Sequence, residues 1–172
     1  MYVRNLHERE FPLPSAKVGA LIDTLASRED RLWPIAKWPR MRFDRPLSVG
    51  VSGGHGPVRY SIEEYRPGQS VRFRFTAPSG FDGTHRFEIE RRESATILRH
   101  VIEMHTTGAA LLSWPLFFRP MHDACLEDCL DNATVSLGID LPCPARYSLY
   151  VRVLRALMRT FTRRYSNNAT RF

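Results

Sequence analysis

Residues 57–106 constrain the fold more than any other stretch, because apolar side chains recur at every second position through four successive segments. The recurring sets are Val58, Tyr60 and Ile62; Val71, Phe73 and Phe75; His85, Phe87 and Ile89; and Leu98, His100, Ile102 and Met104. Most residues between them are charged. A period of two is typical of antiparallel strands with one wet face and one buried face. The sequence therefore predicts a four-stranded meander.

The turns of this meander predict its register. Arg66-Pro67-Gly68-Gln69 fits a type II turn, in which glycine supplies the positive φ of the third position. Glu93-Ser94 closes a second, short hairpin. The resulting pairs are Ile62 with Phe73, Tyr60 with Phe75, Ile89 with Leu98, Phe87 with His100, and His85 with Ile102. A slip of one residue would turn half of the apolar side chains towards water.

The composition is that of one globular domain. The chain has 172 residues, of which 43% are hydrophobic and 25% are charged. It contains no apolar run of membrane-spanning length and no signal peptide before the first strand, and its three cysteines lack the spacing of a disulfide framework. We expect a cytoplasmic protein, with peripheral attachment to a membrane as an open alternative.

The positive charge is confined to the C-terminal end. The whole chain has 25 basic and 18 acidic residues, but residues 141–172 contain seven arginines and no acidic residue. The preceding 140 residues are therefore electrically balanced. This distribution indicates a basic tail and argues against a nucleic-acid-binding body.

The remaining elements follow from local patterns. They are a first strand over residues 2–11, a helix over 16–26 with Ser15 as its N-cap, a short helix from Ser27 through Glu29 to Arg31, a strand over 47–51, a mobile glycine loop over 53–57, and a helix over 111–137. Pro120 marks a kink in the last helix or the first turn of its regular part, and Gly138 is expected at its C-terminal end.

The long helix has one apolar stripe that suits packing across a sheet. The stripe consists of Phe118, Met121, His122, Cys125, Cys129 and Ala133. We expect four acidic residues to face away from the sheet, namely Asp123, Glu127, Asp128 and Asp131. Beyond a proline-containing linker, residues 146–165 predict a basic amphipathic helix. Its polar arc contains Arg152, Arg155, Arg159 and Arg163, and its apolar arc contains Tyr150, Leu154, Leu157, Met158 and Phe161.

This order of elements resembles the SRPBCC superfamily, also called START-like or Bet v 1-like. Residues 11–18 are similar to the family's strand, proline and first helix; residues 65–73 to its Pro-Gly turn; and residues 83–89 to the strand that follows. The resemblance implies an α+β helix-grip fold, in which a curved antiparallel sheet of about six strands is closed by a long helix. It covers a ligand-binding domain over residues 1–138, and residues 139–172 form an appended linker and helical tail.

The resemblance implies an apolar cavity between the sheet and the long helix. Members of the family include binders of lipids and hormones, polyketide cyclases and co-chaperone domains, which share no catalytic motif. The predicted ligand-binding residues are Tyr60, Phe73, Phe75, His85, Phe87, His100, Ile102, Met104, His122 and Cys125. We predict no cofactor and no metal, although His122, Cys125 and Cys129 share one helical stripe, because one helix rarely supplies a complete zinc site.

Several alternatives stay open at this point. His85 and His100 are internally bonded core residues, ligand contacts or proton-transfer groups. Trp33, Trp38 and Trp114 each precede proline and either plug loops against the core, which we favour, or rim a cavity. His55 either gates an entrance or lies in a solvated turn, and we favour the turn.

The leading hypothesis for function is binding of a small hydrophobic molecule. A polyketide cyclase or dehydratase that uses the cavity histidines, with Tyr60 holding an oxyanion, is the second hypothesis. An interaction or membrane-peripheral module that acts through the C-terminal helix is the third. That helix packs on the body or on a second subunit, or it lies on an anionic membrane through Arg152, Arg155, Arg159 and Arg163; nucleic acid is a less favoured partner.

Overall fold

The computed structural model describes residues 1–158, whose strands form a single seven-stranded antiparallel sheet. Strands β1 to β7 span Tyr2–Phe11, Arg42–Phe43, Ser52–His55, Val58–Arg66, Ser70–Ala77, Phe81–Arg91 and Thr96–Thr106. The order in the sheet is β1-β7-β6-β5-β4-β3-β2, so the first strand pairs with the last. Helix α1, Ser15–Asp23, connects β1 to the opposite edge of the sheet.

A long helical segment follows β7 and closes the sheet. It begins as α2, Ala110–Ser113, widens into a π-helical turn over Trp114–Phe118 and continues as α3, Arg119–Ser136. Pro120 is the second residue of α3 and directly follows the π-helical turn, where the helical hydrogen bonding changes. Gly138, with a φ of 75°, follows the end of α3 as predicted. The helix-grip α+β fold is therefore present.

The meander has the predicted register. Ile62 pairs with Phe73 and Tyr60 with Phe75. His85, Phe87 and Ile89 face Ile102, His100 and Leu98, respectively. Gly68 has a φ of 68°, and the amide of Gln69 donates to the carbonyl of Arg66 over 2.9 Å, as a type II turn requires.

The region between α1 and β4 differs from the prediction. Ser15 is the first residue of α1 and not its cap, because Pro14 occupies the N-cap position without a side-chain hydrogen bond. Residues 27–31 form no second helix. Instead the Asp30 carboxylate accepts hydrogen bonds from the backbone amides of Ala26, Leu32 and Trp33, and these local bonds stabilise a turn.

The predicted strand over residues 47–51 is also wrong. The strand β3 lies over Ser52–His55 and overlaps the stretch 53–57 that was predicted to be a mobile glycine loop. A Cβ atom at Gly53 would lie 2.2 Å from the carbonyl oxygen of Arg42 on β2. The glycines therefore allow the backbones of neighbouring strands to approach closely. The prediction failed here because it took glycine as evidence for a loop.

The acidic residues of α3 do not all face away from the sheet, contrary to the prediction. Three side chains of edge strand β1 meet them and form a polar seam, defined here as Asn5, His7 and Arg9 against Asp123, Glu127 and Asp131. Arg9 donates to Asp131 over 2.8 Å, and Asn5 donates to Asp123 over 2.9 Å. The helix crosses the sheet so close to β1 that its acidic flank covers this strand.

Asp128 is the most deeply buried of these acids. It accepts hydrogen bonds from Lys37 over 2.6 Å, from the indole of Trp38 over 2.7 Å and from the hydroxyl of Tyr147. The carboxylate therefore ties α3 to two segments that are distant in sequence.

Residues 149–158 form a helix, α4, that returns to the body of the protein. Val151, Leu154 and Met158 pack against the main hydrophobic core. The guanidinium of Arg155 lies 4.1 Å from the ring centre of Trp38 and donates to the carbonyl of Lys37 over 2.8 Å. Arg155 thus contacts the body of the protein, although it lies in the polar arc of the predicted amphipathic helix. Arg159 and Arg163, with Phe161, lie outside the described residues.

Within residues 1–158, no helix combines the length and the hydrophobicity that are needed to cross a membrane.

Candidate functional site

An apolar cavity lies between the sheet and the closing helical segment. A water-sized sphere can place its centre within about 90 Å³ of this space, whereas one water molecule needs about 10–15 Å³ on the same measure. The wall contains no lysine, arginine, aspartate or glutamate. The lining residues are Trp33, Trp38, Pro39, Met41, His55, Gly56, Pro57, Val58, Phe75, Phe81, His85, Phe87, His100, Ile102, Trp114, Phe117, Phe118, Met121, His122, Cys125, Leu126 and Met158.

Seven of the ten predicted ligand-binding residues are in this wall: Phe75, His85, Phe87, His100, Ile102, His122 and Cys125. The other three, Tyr60, Phe73 and Met104, are not. They are almost fully buried in the core behind the cavity, where Tyr60 and Phe73 contact the ring of His85. The alternation of apolar and charged residues identified the inner face of the sheet. It did not show which residues of that face border the cavity and which are covered by other side chains.

The loop between α1 and β2 supplies wall residues that the sequence analysis did not assign to the site. Trp33 and Trp38 are buried and line the cavity, as does Trp114 of the π-helical turn, so these residues plug the core and border the cavity at once. The Trp-Pro sequence that all three share was the one feature of the sequence that could have assigned them to the site. Met158 of α4 also reaches the wall.

His55 is part of the cavity wall, so the favoured interpretation of a solvated turn is wrong. Its Nδ1 lies 3.0 Å from the hydroxyl of Tyr60, and its ring lies 4.6 Å from that of Trp33. Burial, with smaller effects of His122 and Arg59, lowers its pKa to about 3. His55 is therefore neutral at neutral pH.

His85 and His100 form a buried hydrogen-bonded pair. Nδ1 of His85 lies 3.2 Å from Nε2 of His100, and the two residues are 5% and 2% exposed. The His85 ring is stacked between those of Phe73 and Phe75, at 4.7 and 4.8 Å. Burial lowers the pKa of both histidines well below 6.5, and neighbouring histidines lower it further. One neutral imidazole thus donates to the other.

The histidines in the wall retain unused hydrogen-bonding capacity. Nε2 of His85, Nδ1 of His100 and both ring nitrogens of His122 are buried and have no hydrogen-bond partner in the protein. Such groups cost about 1–3 kcal/mol each when they are left unsatisfied, so they are unusual in a wall that is otherwise apolar.

The chemistry available to the wall is that of neutral donors and acceptors. Burial raises the pKa of Tyr60 well above 10, so its phenol keeps its proton. Proton transfer is most effective when the pKa of the base lies near the working pH, and burial has moved His55, His85 and His100 away from that range. The geometry suits polar recognition of an uncharged group better than general base catalysis.

His7 in the polar seam is electrostatically opposite to the wall histidines. Burial disfavours its charge, but its hydrogen bonds to Asp123 and Glu127 outweigh burial and raise its pKa to about 9. Nδ1 of His7 is 2.8 Å from Glu127 Oε1, and Nε2 is 3.1 Å from Asp123 Oδ1. An imidazolium at this position pairs two carboxylates of α3 with β1.

Comparisons with known proteins support the fold. No family model and no curated protein sequence matches the chain. Among solved structures, Ara h 8.0201 superposes with a TM-score of 0.56 at 13% identity, covering 80% of this chain and 99% of its own. Norcoclaurine synthase from Thalictrum flavum gives a TM-score of 0.58 at 11% identity, covering 78% and 86%.

The di-domain ARO/CYC protein StfQ from the steffimycin biosynthetic pathway gives a TM-score of 0.60 at 11% identity. The match covers 80% of this chain and about half of StfQ, 51%. Identities this low support a shared fold and do not transfer an activity. The chain therefore has the helix-grip fold of the Bet v 1-like, or SRPBCC, proteins, in agreement with the resemblance found in the sequence.

Proposed function

We propose that the protein binds a small, uncharged, largely aromatic molecule with one or two hydrogen-bonding groups in the cavity. The observation that carries the proposal is an apolar wall that contains buried imidazole nitrogens without partners. A charged ligand would lose its hydration without gaining a counter-ion, since no lysine, arginine or carboxylate lines the cavity. A hydroxyl or carbonyl group would instead satisfy nitrogens that the protein leaves unpaired.

The second hypothesis, a proton-transferring cyclase or dehydratase, is less well supported by the same geometry. A hydrogen-bonded histidine pair is present, as that hypothesis requires. The pair is buried, however, and its lowered pKa makes each imidazole a weak base at neutral pH. Binding without chemistry is therefore the function that the site supports best.

Titration with 2-naphthol and with naphthalene tests the proposal. We expect 2-naphthol to bind about tenfold more tightly, since one added hydrogen bond is worth about 1 kcal/mol or slightly more. A control for polarity is 2-naphthoate, an anion of similar size, which should bind more weakly than either. Fluorescence of the naphthyl group reports each titration, and native mass spectrometry of protein purified from its own host would give the mass of the natural ligand.

A matched pair of cysteine variants locates the binding. Cys125 is buried in the wall, whereas Cys143 is exposed. Cys125→Phe should fill the cavity and reduce 2-naphthol affinity at least tenfold, whereas Cys143→Phe should leave the affinity unchanged. Equal binding by wild type and Cys125→Phe, or no binding of either naphthyl compound, would contradict the proposal.

We also propose that the exposed face of α4 contacts an anionic membrane surface. Leu149, Val153 and Leu157 are 73%, 48% and 52% exposed and recur at four-residue spacing, so they form one apolar stripe. Arg146 and Arg152 are exposed in the same segment, which has no acidic residue. An apolar stripe with flanking arginines is the composition that favours anionic lipid.

Vesicle flotation tests this second proposal. The wild type should float with vesicles of 30% phosphatidylserine and not with phosphatidylcholine alone, and the double change Arg146→Glu with Arg152→Glu should abolish flotation. Arg45→Glu serves as the control, because Arg45 is exposed between β2 and β3. If the wild type fails to float and sediments as a dimer, the stripe is a subunit contact and the membrane proposal is wrong.

A further inference from the structure

Two side chains of the polar seam and the neighbouring His122 together have the donor atoms of a transition-metal site. His7 comes from β1, and His122 and Asp123 are consecutive residues of α3. One ring nitrogen of each histidine and one carboxylate oxygen of Asp123 all lie within 4.8 Å of one another. No other trio of this kind occurs among residues 1–158. A divalent ion placed between the three atoms would contact each of them after small side-chain movements.

His122, which borders the seam, has no hydrogen-bond partner for its ring. Both of its ring nitrogens are buried and have no hydrogen-bond partner. Nδ1 lies 3.6 Å from Asp123 Oδ1, which is too long for a hydrogen bond. A buried imidazole without hydrogen bonds costs folding free energy. A metal ion could bind a ring nitrogen of His122 in its present orientation.

His7 has the surroundings of a metal-bound imidazole. Its Nδ1 is 2.8 Å from Glu127 Oε1, so Nδ1–H donates to a carboxylate. Histidines that bind metal through one nitrogen usually donate the other N–H to such an outer carboxylate, which fixes the ring and strengthens the ligand. Asn5 holds Asp123 Oδ1 in place by donating to it over 2.9 Å.

We propose that the seam binds Zn²⁺ through Nε2 of His7, a ring nitrogen of His122 and the carboxylate of Asp123, with Glu127 as the outer carboxylate on His7. Two imidazoles and one carboxylate are a zinc ligand set that leaves a fourth position for water. His122 also lines the apolar cavity, so that fourth position lies beside the cavity wall. Without the ion, the proton on Nε2 of His7 occupies its place between His7 and Asp123.

The proposal does not depend on a ligand in the cavity and is tested by metal binding alone. Tag-free protein is first dialysed against EDTA, then against metal-free buffer, and titrated with Zn²⁺ by calorimetry and with Co²⁺ by visible absorption. We expect one equivalent of Zn²⁺ to bind with micromolar or tighter affinity and Co²⁺ to give the absorption of a four-coordinate site. No heat and no absorption change up to 1 mM metal would overturn the proposal.

Two variants distinguish a ligand set from adventitious binding. His122→Phe removes one ligand and two unpaired buried nitrogens while the His7 ion pairs remain, so the metal-free variant should melt no lower than the wild type. Its zinc affinity should fall at least 100-fold, and Glu127→Gln should weaken binding about 10–100-fold. His105→Phe removes an exposed histidine and should change nothing. Zinc affinity that is unchanged in His122→Phe would show that the seam is not the site.

Discussion

The free energy of unfolding should fall by about 5 kcal/mol between pH 7 and pH 5, before ordinary carboxylates begin to titrate. His55, His85, His100 and His122 cause the loss, because burial lowers the pKa of each in the folded protein, whereas the raised pKa of His7 offsets a small part of it. In the unfolded chain each has the ordinary pKa of about 6.5 and takes up a proton below it. Acid therefore stabilises the unfolded state selectively.

The sign of this effect follows from the direction of the pKa shifts. A histidine whose pKa is lowered by folding does not reduce the free energy of unfolding above pH 6.5. Below that pH it reduces this free energy by about 1.4 kcal/mol per pH unit, until the pH reaches the pKa of the folded state. For His55 that lower limit is about pH 3. At His85 no carboxylate offsets this reduction, since the rings that surround it are those of Tyr60, Phe73, Phe75 and His100.

Urea unfolding followed by tryptophan fluorescence at pH 5.0 to 7.5 measures this dependence. The double change His85→Phe with His100→Phe should reduce the slope by about half or more, because it removes two of the four histidines whose pKa burial lowers. His105→Phe is the matched control, since His105 is exposed, and it should leave the slope unchanged. A free energy that stays constant from pH 7 to pH 5 would mean that the cluster accepts protons without unfolding.

Replacing Asp128 by alanine should cost about 3–5 kcal/mol of stability, the largest effect expected from a single substitution. The Asp128 carboxylate is inaccessible to solvent and accepts hydrogen bonds from Lys37, Trp38 and Tyr147. The change would leave the Trp38 indole N–H buried without its acceptor. Lys37 is half exposed and can return to water, so most of the loss comes from the other two donors.

The loss should be accompanied by a local opening of the chain. Asp128 connects α3 to the loop at Trp38, which lines the cavity, and through Tyr147 to the segment that leads into α4. Trypsin should therefore cleave Asp128→Ala at Arg146 or Arg152 faster than it cleaves the wild type. Asp140→Ala is the control, because Asp140 is exposed, and its stability should change by less than about 0.5 kcal/mol. A loss below about 1 kcal/mol for Asp128→Ala would show that the buried network contributes little.

The meander was predictable because its determinants are local. Alternation over residues 58–104 fixes which side chains face inward, so no distant contact is needed. The Pro67-Gly68 turn does not fix the first pairing alone, because a bulge between Ile62 and Glu64 shifts the register before Ile62 meets Phe73. The same reasoning failed at Ser52–His55, where glycines serve close strand packing and not a loop. The strand prediction at residues 47–51 failed because periodicity cannot distinguish a strand from an extended loop of the same pattern.

The site was predictable only in part, for the same reason. The pattern placed His85, Phe87 and His100 on the inner face, and the structure places them in the cavity wall. It could not show that His55 reaches Tyr60 or that Trp38 closes the wall. The His55 contact depends on the β3–β4 hairpin, part of which the sequence analysis took for a loop. The position of Trp38 depends on the path of the loop between α1 and β2, which contains no periodic signal.

By itself, the sequence determined strands β4 to β7, the side chains that they turn inward and the helix that covers them, because side-chain alternation and helical spacing act between neighbours in the chain. Only the tertiary structure decided where the helix lies relative to β1. That position turns Asp123, Glu127 and Asp131 onto His7 and Arg9, which are more than 100 residues away in the chain. From the helix sequence alone, a charged residue is predicted to face solvent. The strand whose side chains pair with it is distant in the chain, so no local sequence pattern predicts that pairing.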